Sequence, residues 1–224
     1  MPAPLQALHT ICNIHTSSSK LNHLYGEAIN TAVHDILKTI SSTHTFAVKL
    51  ALAQSLLLLQ IITLLFPAPS AVLRKHAENR MTLLHKVIQD LYKSMPETLP
   101  SSMSRYQSWL LAESCRRTLH IAHMLSGIHS ILSHGSFILT PFVVALPLDL
   151  NRAQIWENNQ MSPDAEKGDK DWEKEFSAPT DLVSYRELIE LWDSGKVREP
   201  TQFVEMLLIA CKGADEIKSA IQVT

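Results

Sequence analysis

The sequence predicts an all-α fold, a single helical domain of about seven helices built around one long central helix. Three observations carry this. Apolar residues recur near a 3.6-residue period through four long segments between residues 20 and 134. Glycine is scarce, with 6 in 224 residues, while leucine is abundant, which favours helices over a sandwich or barrel. The breaks between segments are clusters of Ser, Thr, Pro and Gly, the residues that cap or stop helices. At 46% hydrophobic content a chain of this length can bury a sizeable core, so residues 20–222 are assigned to one domain and 1–19 to an N-terminal extension.

The first helix is read over 20–40, where Leu21, Leu24, Ala28, Val33, Ile36, Leu37 and Ile40 follow the helical period. Ser41, Ser42 and Thr43 break it, and Thr43 or Thr45 can cap a second helix that runs to Phe66. Pro67 and Pro69 end that helix, because proline lacks the amide that a continuing helix needs. A third helix is expected over 70–94, with Arg74, Lys75, Glu78, Arg80 and Lys86 on its wet face. Pro96 and Pro100 mark a loop, and the long fourth helix follows from about Ser102 to His134, stopped by Gly135. Residues 136–148 are apolar but hold Pro141 and Pro147, which suits a short strand, an irregular segment or a brief helix. Residues 151–180 are polar and are expected to form a solvated loop. Asp181 is placed as the cap of a helix to Asp193 closed by Gly195, and a last helical pair covers about 200–211 and 214–221.

Composition narrows the function classes. A net charge of −2 gives no electrostatic footprint for nucleic acid. Cys12, Cys115 and Cys211 are odd in number and far apart, so no disulfide framework and no cysteine metal site is expected. No secretory signal is read at the N-terminus. The segment Phe46 to Phe66 is long enough to span a bilayer, but Lys49, Gln54 and Gln60 interrupt it, and the buried core helix of a helical domain is the expectation.

The candidate chemistry lies on the fourth helix. Glu113, with Arg116 and Arg117 at i+3 and i+4, places opposite charges on one helical face inside an apolar stretch. Glu113, Arg116, Arg117, His120, His123, Gly127 and His134 share one broad stripe at 100° per residue. Histidines in such a stripe can act as acid or base near neutral pH, which makes His120, His123, Glu113 and Arg117 the catalytic candidates. Arg116 and His134 are the ligand-binding candidates, since arginine pairs with anions. The plainer reading is that the charges form an ion pair fixing neighbouring helices and the histidines are hydrogen-bonded core residues. No H-E-x-x-H spacing, nucleophile elbow or glycine-rich phosphate loop occurs, so neither a metal nor a cofactor is expected.

The run Trp109-Leu-Leu-Ala-Glu113-Ser114-Cys115-Arg116-Arg117-Thr118 and the preceding Leu50-Ala-Leu-Ala-Gln54-Ser55-Leu-Leu-Leu-Leu59-Gln60 resemble the C-terminal regulatory region of fungal zinc-cluster transcription factors. Further matches follow in the same order: Gly135, Phe137 and Pro141, then Ala145-Leu146-Pro147 and Trp156, then Ser184-Tyr185-Arg186-Glu187 and Leu191-Trp192. Phe203, Leu207-Leu208 and Ala210-Cys211-Lys212-Gly213 complete the series, which covers roughly residues 20–213. The resemblance implies an all-helical domain that modulates a DNA-binding head, often in secondary-metabolite gene clusters. It also implies a structural role for Glu113, Arg116 and Arg117. The head itself needs six cysteines on two zinc ions, which the three scattered cysteines do not supply, so no direct nucleic-acid contact is expected.

The expectation is therefore a transcription-factor-like regulatory protein without its own zinc-cluster head, located in nucleus or cytoplasm and not in a membrane. It would pair with a zinc-cluster factor or with a second copy, or sense an apolar small-molecule metabolite. The alternative is a cofactor-independent cyclase or isomerase of secondary metabolism, in which confinement and one or two hydrogen bonds steer the reaction.

Overall fold

The computed structural model describes residues 22–40, 45–65, 71–96, 102–136, 141–157, 176 and 181–222. The extension 1–19, the caps at Ser41 to Thr43, and residues 158–175 and 177–180 of the expected polar loop lie outside them. The fold is all-α, with a minimal two-stranded sheet. In chain order the elements are α1 (Asn22–Ile40), α2 (Phe46–Leu65), α3 (Ala71–Lys93), α4 (Arg105–His134), α5 (Pro141–Val144), β1 (Pro147–Asp149), α6 (Ala153–Glu157), β2 (Leu182–Ser184), α7 (Tyr185–Asp193), α8 (Gln202–Lys212) and α9 (Ala214–Gln222). Seven of the described helices run nine residues or more, and α4 is the longest at 30. Within the helical domain the chain clusters into two compact units, Met1–Pro100 with Arg117–Phe137 and Ser101–Arg116 with Ile138–Thr224.

The first unit is centred on α2. Its leucines, alanines and isoleucines are buried nearly all round, and it packs against α1 and α3. Length and apolarity alone would let this helix cross a membrane, but most of its side chains are covered by protein, as in the core helix of a helical domain. The glutamines that interrupt the apolar run are used as structural donors. Gln60 donates from Nε2 to the Ala77 carbonyl on α3 at 2.8 Å, and Gln54 donates to Thr118 Oγ1 at 3.2 Å. A buried amide without such an acceptor would cost its full desolvation. Arg80 lies against the same point, donating from Nε to Gln60 Oε1, so it is half-buried rather than on the wet face, and burial lowers its pKa. On α3 the buried stripe is Leu73, Ala77, Met81, Leu84, Ile88 and Leu91, in steps of three or four residues, with Val87 buried beside it. On α1 the buried stripe is Ile29, Ala32 and Ile36, while Leu37 is exposed; the periodic set read from sequence is rotated relative to the face that α2 covers.

The second unit is assembled from short elements. Residues 136–148, left open between strand and helix, contain both: α5 is one turn, and β1 pairs antiparallel with β2 in the register Pro147 with Ser184, Leu148 with Val183 and Asp149 with Leu182. Proline opens β1, where its missing amide costs no ladder bond inside a longer strand. The expected loop over 151–180 begins later than predicted, because Ala153–Glu157 form α6. Asp181 does not cap the next helix. Leu182–Ser184 are extended, and Ser184 caps α7 through a complete capping box: the Glu187 amide donates to Ser184 Oγ, and the Ser184 amide donates to the Glu187 carboxylate. Tyr185, buried behind this cap, donates from its hydroxyl to the Leu207 carbonyl of α8 at 2.7 Å and from its amide to the Leu146 carbonyl. Gly195 and Gly213 close α7 and α8 at positive φ, a conformation that glycine takes without a Cβ penalty.

The capping box is testable. Ser184→Ala removes the acceptor for the Glu187 amide and is expected to lower stability by about 1 kcal/mol, read from a urea midpoint. The Glu187 carboxyl is held below its ordinary value by the Ser184 backbone amide, then by the Ser184 hydroxyl. Its share of the cap is therefore present above the unfolded carboxyl value of about 4.3 and is lost as pH falls through the lowered one.

Candidate functional site

The polar residues singled out on α4 do not form one constellation. Glu113 and His134 are separated by roughly 30 Å of helix rise, and Glu113 and His123 by about 15 Å. Glu113 and Arg116 belong to the second unit, and Arg117, His120, His123 and His134 to the first.

In the second unit Arg116 Nε donates to Glu113 Oε2 at 2.9 Å, with side chains only 14% and 4% exposed. This is a buried i, i+3 ion pair within one helix, of the kind that is strongly destabilising to break from one side. One turn earlier, Trp109 Nε1 donates to Asp149 Oδ2 at 2.8 Å. Asp149 ends β1 and is almost fully buried. It also accepts the Arg152 amide at 3.2 Å and faces the Arg152 guanidinium at 3.7 Å. The guanidinium in turn lies 5.3 Å from the centre of the Phe176 ring, a cation–π distance. Tyr106, Trp109, Trp156 and Phe176 pack around this group with ring centroids 5.2–6.3 Å apart. The result is a buried carboxylate and guanidinium walled by an aromatic box, with Tyr106 and Trp156 partly exposed, that ties α4 to β1 and α6.

Sequence reading missed Asp149, Arg152, Tyr106 and Phe176. A signal for the first two was present: an acidic residue closing the apolar run Ala145 to Leu148, with an arginine three residues on. Cys115, between Glu113 and the arginines, has its thiol pushed up to about 11 by burial, with Arg116 pulling slightly the other way. It stays a neutral thiol at physiological pH, which makes it a poor nucleophile.

In the first unit Arg117 and His120 are buried, and both have interaction partners. His123 is half-buried, and its pKa is lowered by burial and then by the charge of His85. His134 is exposed in the last turn of α4, where a cation complements the helix dipole. His85 on α3 meets Ser126 on α4 at 2.7 Å. Among the described residues no three His, Cys, Asp or Glu side chains come together as a metal-holding group. No family model matches the chain, and neither a curated protein nor a solved structure matches it.

Proposed function

We propose that the chain is a transcription-factor-like regulatory protein of secondary metabolism that acts through a protein partner or a bound apolar metabolite. One observation supports this reading above the others. Several of the residues that carry the resemblance to zinc-cluster regulatory regions, those that lie in the second unit, take part in the contacts that hold it together. Trp109 bonds Asp149 and meets Trp156 edge-on, Glu113 bonds Arg116, Ser184 and Glu187 cap α7, and Tyr185 ties α7 to α8. Phe203, Leu207 and Leu208 are buried beneath them. Glu113, one of the catalytic candidates, pairs with Arg116, which suits the structural role the resemblance implies.

Deleting the gene in its native host, with transcripts and metabolites read together, tests the proposal. The expected outcome is a collapse of transcripts from neighbouring biosynthetic genes. If those transcripts hold while one product is replaced by an uncyclised or isomeric precursor, the regulatory reading fails and the cyclase or isomerase reading takes its place.

A further inference from the structure

The first unit contains a histidine cluster that the proposed function does not use. His85 projects from α3 onto Ser126 of α4, with Nε2 2.7 Å from Oγ. Ser126 has one proton, and it donates it to the Ala122 carbonyl one turn back at 2.9 Å. Ser126 must therefore accept from His85, which places the ring proton on Nε2 and leaves Nδ1 as the site an added proton would take. His123 and His129 lie three residues before and three residues after Ser126. On a helix those positions fall on the same face, one turn to either side. His85 is thus bracketed by two further imidazoles, and Ser133 Oγ lies 3.4 Å from the Nε2 of His129.

We propose that His85, His123 and His129 form a proton-sensitive latch between α3 and the C-terminal half of α4: neutral rings hold the two helices together, and protonated rings drive them apart. The latch stands independently of the regulatory reading above.

The electrostatics agree with the geometry. Partial desolvation is the larger cause lowering the pKa of both the surface residue His85 and the half-buried His123, and a neighbouring ring is the second: His129 acts on His85, and His85 acts on His123. The other ionisable groups near His85 in the sequence of α3 are Lys86 and Asp90. The packed helices add Lys49, the single ionisable side chain of α2, and Glu27, His34, Asp35 and Lys38 on α1. Rings whose folded pKa is depressed contribute stability that is complete above the unfolded value of about 6.5 and is lost as pH falls from there toward the folded values. The window is the mildly acidic range in which histidine switches operate. The element released is the end of α4, which carries Ile128, Ile131 and Leu132 as exposed apolar side chains.

The test is a histidine ring titration by NMR on the full chain, joined to amide exchange at neutral and mildly acidic pH. His85 and His123 are expected to titrate below about 6.5, and each unit of depression is expected to raise the open population of 126–134 about tenfold on full protonation. His129→Gln is expected to raise the pKa of His85, and His85→Gln that of His123, responses that a purely packing role would not produce. Wild-type His85 and His123 titrating at the ordinary value, or protection of 126–134 that stays constant with pH once intrinsic exchange is corrected for, would overturn the latch. Because the titration and the exchange are read on the wild-type chain, a variant that fails to fold leaves the test intact.

Discussion

Asp149→Ala is expected to destabilise the second unit by about 3–5 kcal/mol, the cost of removing one side of a buried, hydrogen-bonded ion pair. Three groups lose their acceptor at once: the Trp109 indole, the Arg152 amide and the Arg152 guanidinium. All three belong to buried residues, so their lost acceptor is not freely replaced by solvent. Asp149→Asn separates charge from hydrogen bonding, because its carboxamide oxygen can still accept from Trp109 while Arg152 loses its counter-charge. Trp109→Phe keeps the ring in the box and deletes the donor, for an expected loss of about 1–3 kcal/mol. The readout is urea unfolding followed by near-ultraviolet circular dichroism, which reports the packed tryptophans directly. An unchanged midpoint for Asp149→Ala would mean that the box is not a stabilising element of this unit.

The second large effect separates two adjacent leucines of α2. Leu59 is fully buried and Leu58 is 41% exposed. Both share a helix, a residue type and nearly the same helix-propensity cost on truncation, so any difference between them reports packing alone. Leu59→Ala opens a cavity in the centre of the first unit and is expected to cost about 3–5 kcal/mol. Leu58→Ala is expected to stay within about 1 kcal/mol, since surface truncations away from special features do little. Equal losses at both positions would show that Leu58 is covered through an association the single chain does not display.

Helix existence was legible in the sequence because it depends on local periodicity and on stop residues. The four long helices fall within a few residues of the expected ends, and Gly135, Gly195 and Gly213 close helices at positive φ. What failed was whatever required a distant partner. Leu37 and Arg80 were assigned to the wrong faces, because a helical wheel gives a stripe but not the direction of the neighbour that covers it. The cap of α7 moved from Asp181 to Ser184 because β2 forms only against β1, more than 30 residues away in the chain.

The candidate site divides along the same line. Sequence alone determined that Glu113 would find an arginine, because i, i+3 neighbours meet on any helix. It also favoured a core helix for α2, since three polar interruptions in a run apolar on most faces are costly in lipid. Only the tertiary structure decided that Trp109 would close on Asp149, that Arg152 would lie over Phe176, and that His85 would meet Ser126. Those pairings join residues up to 41 positions apart. Helical spacing is a property of neighbouring peptide units, whereas such contacts exist only once separate elements have packed and excluded the water that would otherwise satisfy each group.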